Sequence, residues 1–143
     1  MPPTENKIFH FGDSHCLSFA HRHITLKDLN FSIVPSVIFG AKAFHFSCKN
    51  YNSFKSITNS NFVSLPKSSK IFLSFGEIDC RPTEGFISAS RKLSKPIENL
   101  VSDTVNGYVL WFLEQTAGQN HRLYFVNVPA PVYNKKYSAD LNS

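Results

Sequence analysis

Two short apolar segments of this 143-residue chain each run into a glycine that is followed by charged residues. Residues 8–11 lead into G-D-S-H at 12–15, and residues 71–75 lead into G-E-I-D-C-R at 76–81. Short segments rich in Phe and Ile are typical of buried strands, and glycine permits a sharp turn after them. The carboxyl ends of parallel strands meet at one edge of an open α/β sheet, where ligands usually bind. The two segments therefore predict a polar site at such an edge.

Two further segments, residues 31–35 and 123–128, have the same apolar character, so four strands are predicted. Between the last two, residues 95–120 carry apolar side chains at three- and four-residue steps, with Pro96 in the first turn and Gly118 at the end, which predicts a long helix. Residues 50–60 are rich in Asn and Ser and predict a surface loop. Long helical connections favour parallel strands, and so a doubly wound α/β domain spanning residues 1–143.

Composition narrows the functional classes. Apolar residues make up 42% and charged residues 17% of the chain, which is ordinary for a globular protein. No stretch reaches the roughly 18 apolar residues of a membrane span and none resembles a leader, so we expect a cytoplasmic protein without a membrane partner.

The net charge of +5 is spread along the chain, which argues against a nucleic-acid partner. The three cysteines form no C-x-x-C pair, so neither a disulfide framework nor a zinc site is expected.

Ser14 stands where the first strand ends and a helix is expected to begin. In one interpretation, Asp13 or Ser14 only caps that helix, because both residue types are favoured at helix starts. In the other, the Ser14 hydroxyl faces the ligand edge of the sheet and acts as a nucleophile.

Taken together, the two glycine blocks resemble the SGNH, or GDSL-type, hydrolases, in particular a bacterial subgroup with G-D-S-H and G-E-I-D-C-R blocks. The resemblance implies a flavodoxin-like three-layer fold with a mostly parallel sheet. It implies that Ser14 attacks an acyl carbonyl and that the backbone N–H groups of Ser14 and Gly40 hold the oxyanion. It also implies that Asp79 is the acid of the third family block. For Gly40, a plain turn is the alternative interpretation.

The chain departs from the family pattern in two ways. Ile78 replaces an asparagine that normally donates to the oxyanion, and losing one such donor typically lowers the rate about a hundredfold or more. The D-x-x-H block expected near the C-terminus is absent from the sequence, and the last histidine is His121. The chain therefore resembles the N-terminal two-thirds of an SGNH-type fold, incomplete at the C-terminus. A missing C-terminal segment or a protein partner is then expected to cover the exposed part of the sheet.

The candidates for a substitute general base are His15, His45, and His21 and His23 further along the expected first helix. His15 adjoins Ser14, but adjacent helical residues point about 100° apart, which makes it a poor acceptor for the Ser14 proton. His45 follows the second strand and cannot be placed from the sequence.

The sequence thus predicts an esterase, acyl hydrolase or acyltransferase that acts on a polar acyl ester such as an acylated sugar and needs neither a metal nor an organic cofactor. Asp13, His15, Glu77 and Arg81 are the expected substrate-binding residues. The alternative for the second block is a local ion-pair network that holds the loop. The alternative for the whole chain is an inactive SGNH-like domain that binds a partner.

A calcineurin-like metallophosphoesterase is a further alternative. Asp13-x-His15, G-E-x-x-C-R and Asn120-His121 resemble that family's D-x-H, G-D-x-x-D-R and G-N-H blocks, which hold two metals. The wide separation of the first two blocks, and the position of Asn120-His121 before a strand, argue against this alternative.

Overall fold

The computed structural model describes residues 6–128. Within them, five strands form one sheet in the order β2-β3-β1-β4-β5. All neighbouring strands are parallel except β2 and β3, which are antiparallel. The strands are β1 (Asn6–Gly12), β2 (His23–Leu26), β3 (Leu29–Val37), β4 (Lys70–Ser74) and β5 (Arg122–Phe125).

Four α-helices and two short 3-10 helices connect the strands of the described part. The α-helices are α1 (Ala43–Ser47), α2 (Ser53–Val63), α3 (Phe86–Leu93) and α4 (Ile97–Gln115), and the 3-10 helices are Ser14–Phe19 and Ile78–Cys80. None of the helices in residues 6–128 has the length and apolar character needed to cross a membrane.

An aromatic core lies between the sheet and the long helix α4. Phe11 of β1 and Leu73 of β4 contribute fully buried side chains from the sheet, and Phe46 of α1 and Phe112 of α4 meet them. The ring centroids of Phe46 and Phe112 are 4.9 Å apart. Burying one such side chain stabilises the fold by about 1.5–3 kcal/mol. This packing fixes the sheet as a rigid platform for the loops at its carboxyl edge.

The predicted α/β class and mostly parallel sheet are confirmed. All four predicted strands are present, and the predicted long helix is α4. Without the antiparallel β2, the parallel strands lie side by side in the order β3-β1-β4-β5. If these four are numbered as they follow one another along the chain, the order across the sheet is 2-1-3-4. This matches the flavodoxin-like order over the described residues, and it places the switch point, where the chain reverses direction across the sheet, between β1 and β4.

Two local predictions are wrong. The segment after Ser14 forms only a six-residue 3-10 helix, and the chain then enters the β2–β3 hairpin, which was not predicted. Lys27 and Asp28 make its two-residue turn with φ of 48° and 64°. Turns of this kind usually carry Asn-Gly, so the sequence signal is missing. The predicted surface loop at residues 50–60 is instead largely helix α2, which begins after Asn52 because its side chain accepts from the Lys55 N–H at 3.0 Å.

Candidate active site

The candidate site lies at the switch point, where β1 and β4 end side by side. Gly12 pairs with Ser74 in the sheet register, so the G-D-S-H and G-E-I-D-C-R blocks leave the sheet next to each other. A Cβ on Gly12 would lie 2.9 Å from the backbone carbonyl oxygen of Ser74, which cannot rotate away, so glycine is required at this close approach. The structure therefore brings the two blocks together, as expected for parallel strands.

Asp13 is the buried anchor of the first block, with a relative exposure of 2%. Its Oδ1 accepts the backbone N–H of His15 at 2.9 Å, which caps the 3-10 helix, and lies 3.0 Å from the His15 Nδ1. Its Oδ2 is buried and has no hydrogen-bond partner among the described residues. A buried acceptor without a partner costs about 1–3 kcal/mol. The capping interpretation of Asp13 is therefore correct for one oxygen and leaves the other unexplained.

Glu77 brings the second block to the same place. Its Oε2 lies 3.8 Å from the His15 Nδ1 and 2.8 Å from a terminal nitrogen of Arg81. The Arg81 Nε also donates to both Glu77 oxygens at 3.1 Å, and this hydrogen bonding raises the pKa of Arg81. Glu84 accepts from the other Arg81 nitrogen at 3.2 Å. The ion-pair network predicted as an alternative for this block is thus present around Arg81, although Asp79 is not among its ion pairs.

A cavity of about 380 Å³ opens between these two blocks. Its polar wall contains Asp13, His15, Glu77, His10, Ser18 and Ser74, and its apolar wall includes Phe19, Phe75 and Val128. Clefts of this size at the carboxyl edge of a parallel sheet are typical ligand sites. The expected substrate-binding residues Asp13, His15 and Glu77 therefore share one cavity, and Arg81 contacts it through Glu77.

Ser14 is exposed at the first position of the 3-10 helix, between the cavity-lining residues Asp13 and His15. The structure records no hydrogen bond between the Ser14 hydroxyl and an imidazole within residues 6–128. The position at the carboxyl end of β1 agrees with the prediction. A base in contact with the hydroxyl is missing from the described part of the chain.

Gly40 lies at the same edge, beyond the end of β3. The backbone N–H of Ile38 donates to the Gly12 carbonyl at 2.8 Å, which ties the loop after β3 to the loop after β1. Gly40 itself is exposed, has φ of +71°, and would meet nothing within 4 Å if it carried a Cβ. A left-handed turn explains the glycine, Gly40 is not among the residues that line the cavity, and its oxyanion role stays a prediction.

Asp79 faces away from the cavity, toward the start of α1. One carboxylate oxygen accepts the Ala43 N–H at 2.7 Å and the other accepts the Phe44 N–H at 3.1 Å. The side chain is buried, and this burial raises the pKa of Asp79 even though the backbone amides act in the opposite direction. Its neighbour Ile78 is also buried and offers no donor. Asp79 thus links the second block to the loop that carries Gly40.

His10 and Ser74 form a pair in the cavity wall that was not predicted. The His10 Nε2 lies 2.7 Å from the Ser74 Oγ, while its Nδ1 is buried and has no partner among the described residues. Burial lowers the pKa of His10, which keeps the imidazole neutral near pH 7. The position of His10 inside an apolar strand could have marked it as a candidate site residue. Its partner Ser74 could not be predicted, because that contact depends on the register between β1 and β4.

His45 and His121 both have structural contacts. The His45 Nδ1 accepts the Lys42 N–H at 2.9 Å, and its ring stacks on Phe54 at 4.1 Å. The His121 Nδ1 accepts the Ser69 N–H at 3.1 Å, at the opposite edge of the sheet. The five-residue strand β4 rises roughly 13 Å between the two edges. The third block of the metallophosphoesterase alternative, Asn120-His121, is therefore far from Asp13 and His15.

No protein-family model matches the chain, and a comparison with curated proteins finds no match.

Proposed function

We propose that the chain is an SGNH-like acyl-ester hydrolase or acyltransferase in which Ser14 is the nucleophile. The observation that carries this proposal is the position of Ser14, exposed at the carboxyl end of β1 and flanked by two residues that line the switch-point cavity. A hydroxyl at this edge is accessible to a bound ester, whereas a hydroxyl on the sheet surface would be covered.

In this mechanism the Ser14 oxygen attacks the acyl carbonyl and the alcohol leaves, which produces an acyl-serine intermediate. Water then releases the acid, or a second hydroxyl accepts the acyl group. The N–H groups of Ser14 and Gly40 are assigned to the oxyanion of each tetrahedral intermediate. Because Ile78 is buried and cannot donate, we expect a rate about a hundredfold below that of an enzyme with a third donor.

Ser14 must pass its proton to a group in the cavity, because a serine without an adjacent base is a poor nucleophile. The cavity wall carries four candidates within the described residues: the carboxylates of Asp13 and Glu77 and the imidazoles of His15 and His10, of which His10 already contacts Ser74. Substitution of each in turn, followed by the pH dependence of kcat/KM, identifies the acceptor.

The substrate class follows from the cavity wall. Asp13 and Glu77 supply carboxylate acceptors, and Arg81, which is paired with Glu77 and has a side chain 41% exposed, supplies donors. These groups match the hydroxyls of a sugar or another polar alcohol, whereas a long alkyl chain would leave them unpaired. An acylated sugar is therefore the preferred substrate.

Two measurements test this function. In the first, acetylated monosaccharides are compared with acetate, octanoate and palmitate esters of one chromogenic alcohol, and the acetylated sugars and acetate are expected to react fastest. Faster turnover of palmitate would overturn the substrate class.

In the second measurement, a fluorophosphonate probe, which modifies nucleophilic serines covalently, is expected to label Ser14 as mapped by mass spectrometry. If no serine is labelled and no ester is hydrolysed, the enzyme assignment fails and the binding-domain alternative gains support.

A further inference from the structure

We infer that Asp13, His15 and Glu77 form a binding site for one divalent metal ion in the switch-point cavity. Each residue offers a ligand atom, and the three atoms lie within 4.8 Å of one another. The predicted esterase needs no metal. Only the metallophosphoesterase alternative placed metals on these two blocks, and their separation by more than sixty positions argued against it. Only the parallel pairing of β1 with β4 brings them together.

The distances suit one metal ion. The His15 Nδ1 lies 3.0 Å from the Asp13 Oδ1 and 3.8 Å from the Glu77 Oε2. Ligand atoms held about 2.0–2.2 Å from a common ion are about 3–4 Å apart, depending on the angle between the two bonds. Small side-chain movements therefore suffice to admit an ion between the three atoms.

A second observation points to a ligand at this place. Asp13 is 2% exposed and lines the cavity, yet its Oδ2 has no hydrogen-bond partner within residues 6–128. Buried carboxylates are rarely left in this condition, because buried charges are normally paired or bound to a metal. A cation in the cavity would satisfy the carboxylate, whereas the neighbouring His15 contacts only the other oxygen.

The donor set indicates the class of metal. Two carboxylates and one imidazole, without a thiolate, favour ions that accept mixed oxygen and nitrogen ligands, such as Mn²⁺ or Zn²⁺, over Ca²⁺ or Cu⁺. Three protein ligands leave coordination positions open toward the cavity, as in catalytic metal sites. An ester carbonyl or a sugar hydroxyl can occupy such a position, although the metal site does not depend on esterase activity.

Arg81 competes with the ion for Glu77. Its terminal nitrogen lies 2.8 Å from the same Oε2 that is nearest to His15, and its positive charge opposes a nearby cation. Glu84, the other carboxylate partner of Arg81, lies outside the ligand cluster. Removing Arg81 should therefore strengthen metal binding. Removing the Glu84 charge should change metal binding little, so Glu84 provides a control.

The test is a titration of the purified 143-residue chain with Mn²⁺, with free Mn²⁺ measured by electron paramagnetic resonance. We expect one saturable site per chain. Glu77→Gln and His15→Ala should each weaken binding at least about tenfold, because each removes a ligand. Glu84→Gln should stay within about twofold of the unmodified chain, and Arg81→Gln should bind more tightly. Since Glu77 and His15 are not buried, these variants remain informative even if Asp13→Asn fails to fold.

Two results would overturn the site. One is the absence of saturable Mn²⁺ or Zn²⁺ binding up to millimolar concentrations, which would leave Asp13 Oδ2 to a water molecule. The other is binding that Glu77→Gln and His15→Ala do not change, which would place the ion elsewhere. Ser14→Ala should bind Mn²⁺ with unchanged affinity. Failure of the esterase assay alone would therefore count against the proposed function and leave the metal site standing.

Discussion

The carboxylate of Asp79 lies 2.7 Å from the backbone nitrogen of Ala43, and this contact joins the loop after β4 to the start of α1. The same carboxylate accepts the Phe44 N–H through its second oxygen. Two of the three loops at the carboxyl edge are therefore held by one buried side chain. The loop that carries Gly40 is connected to the first block separately, through the Ile38–Gly12 hydrogen bond.

Asp79→Ala is expected to lower the free energy of unfolding by about 2–3 kcal/mol, because two N–H groups at the start of α1 lose a charged acceptor. Asp79→Asn keeps one acceptor oxygen and should cost about half as much. The check is urea unfolding of each variant. Asp103→Ala, an exposed aspartate on α4, serves as the control and should stay within about 0.5 kcal/mol of the unmodified chain. An equally small effect of Asp79→Ala would contradict the structural role.

Stability is expected to fall as the pH is lowered below about 7, in part because of His10. Burial lowers the pKa of His10 from its ordinary 6.5, so the unfolded chain takes up a proton at a higher pH than the folded chain does. The stabilisation is complete above pH 6.5 and is lost as the pH falls through the folded pKa. His10→Gln should reduce the slope of unfolding free energy against pH by up to about 1.4 kcal/mol per pH unit. Urea unfolding at pH 7, 6 and 5 measures this slope for both chains, and a slope that is the same in His10→Gln and the unmodified chain would refute the prediction.

Arg81→Ala is expected to affect the substrate more than the fold. Its ion pairs are partly exposed, so the unfolding free energy should change by no more than about 1 kcal/mol. For an acetylated sugar, kcat/KM should fall roughly tenfold or more through KM, because a charged hydrogen bond to the substrate is lost. Lys92→Ala, on the exposed side of α3, is the control for loss of one positive charge. If Arg81→Ala and Lys92→Ala give equal KM values, Arg81 does not contact the substrate.

Much of the architecture could be predicted because it depends on local patterns. The four parallel strands are short segments rich in apolar residues, and α4 has an apolar residue at every third or fourth position. Parallel topology then placed the ends of β1 and β4 at one edge without any knowledge of side-chain contacts. The helix α2 was missed because its buried residues are Lys55, Thr58 and Phe62, of which only Phe62 is apolar. Phe54 adds a partly buried ring, and the rest of the segment is mostly polar.

The contacts inside the site depend on tertiary structure and could not be predicted. The pairing of His10 with Ser74 requires the register between β1 and β4, since the two residues are 64 positions apart. The Asp79 carboxylate contacts α1, which follows a different strand, and nothing in the block G-E-I-D-C-R indicates that partner. The unpartnered oxygen of Asp13 likewise becomes apparent only once the packing around it is known.

The most direct test of the central claim is hydrolysis of a short-chain chromogenic acetate ester by the 143-residue chain, with Ser14→Ala, Ser74→Ala and the surface variant Ser56→Ala measured in parallel. The account predicts hydrolysis that Ser14→Ala abolishes and Ser56→Ala leaves unchanged. Hydrolysis that survives in Ser14→Ala but disappears in Ser74→Ala would move the nucleophile to the His10–Ser74 pair. The absence of hydrolysis by the unmodified chain toward acetate esters and acetylated sugars alike would contradict the enzyme assignment.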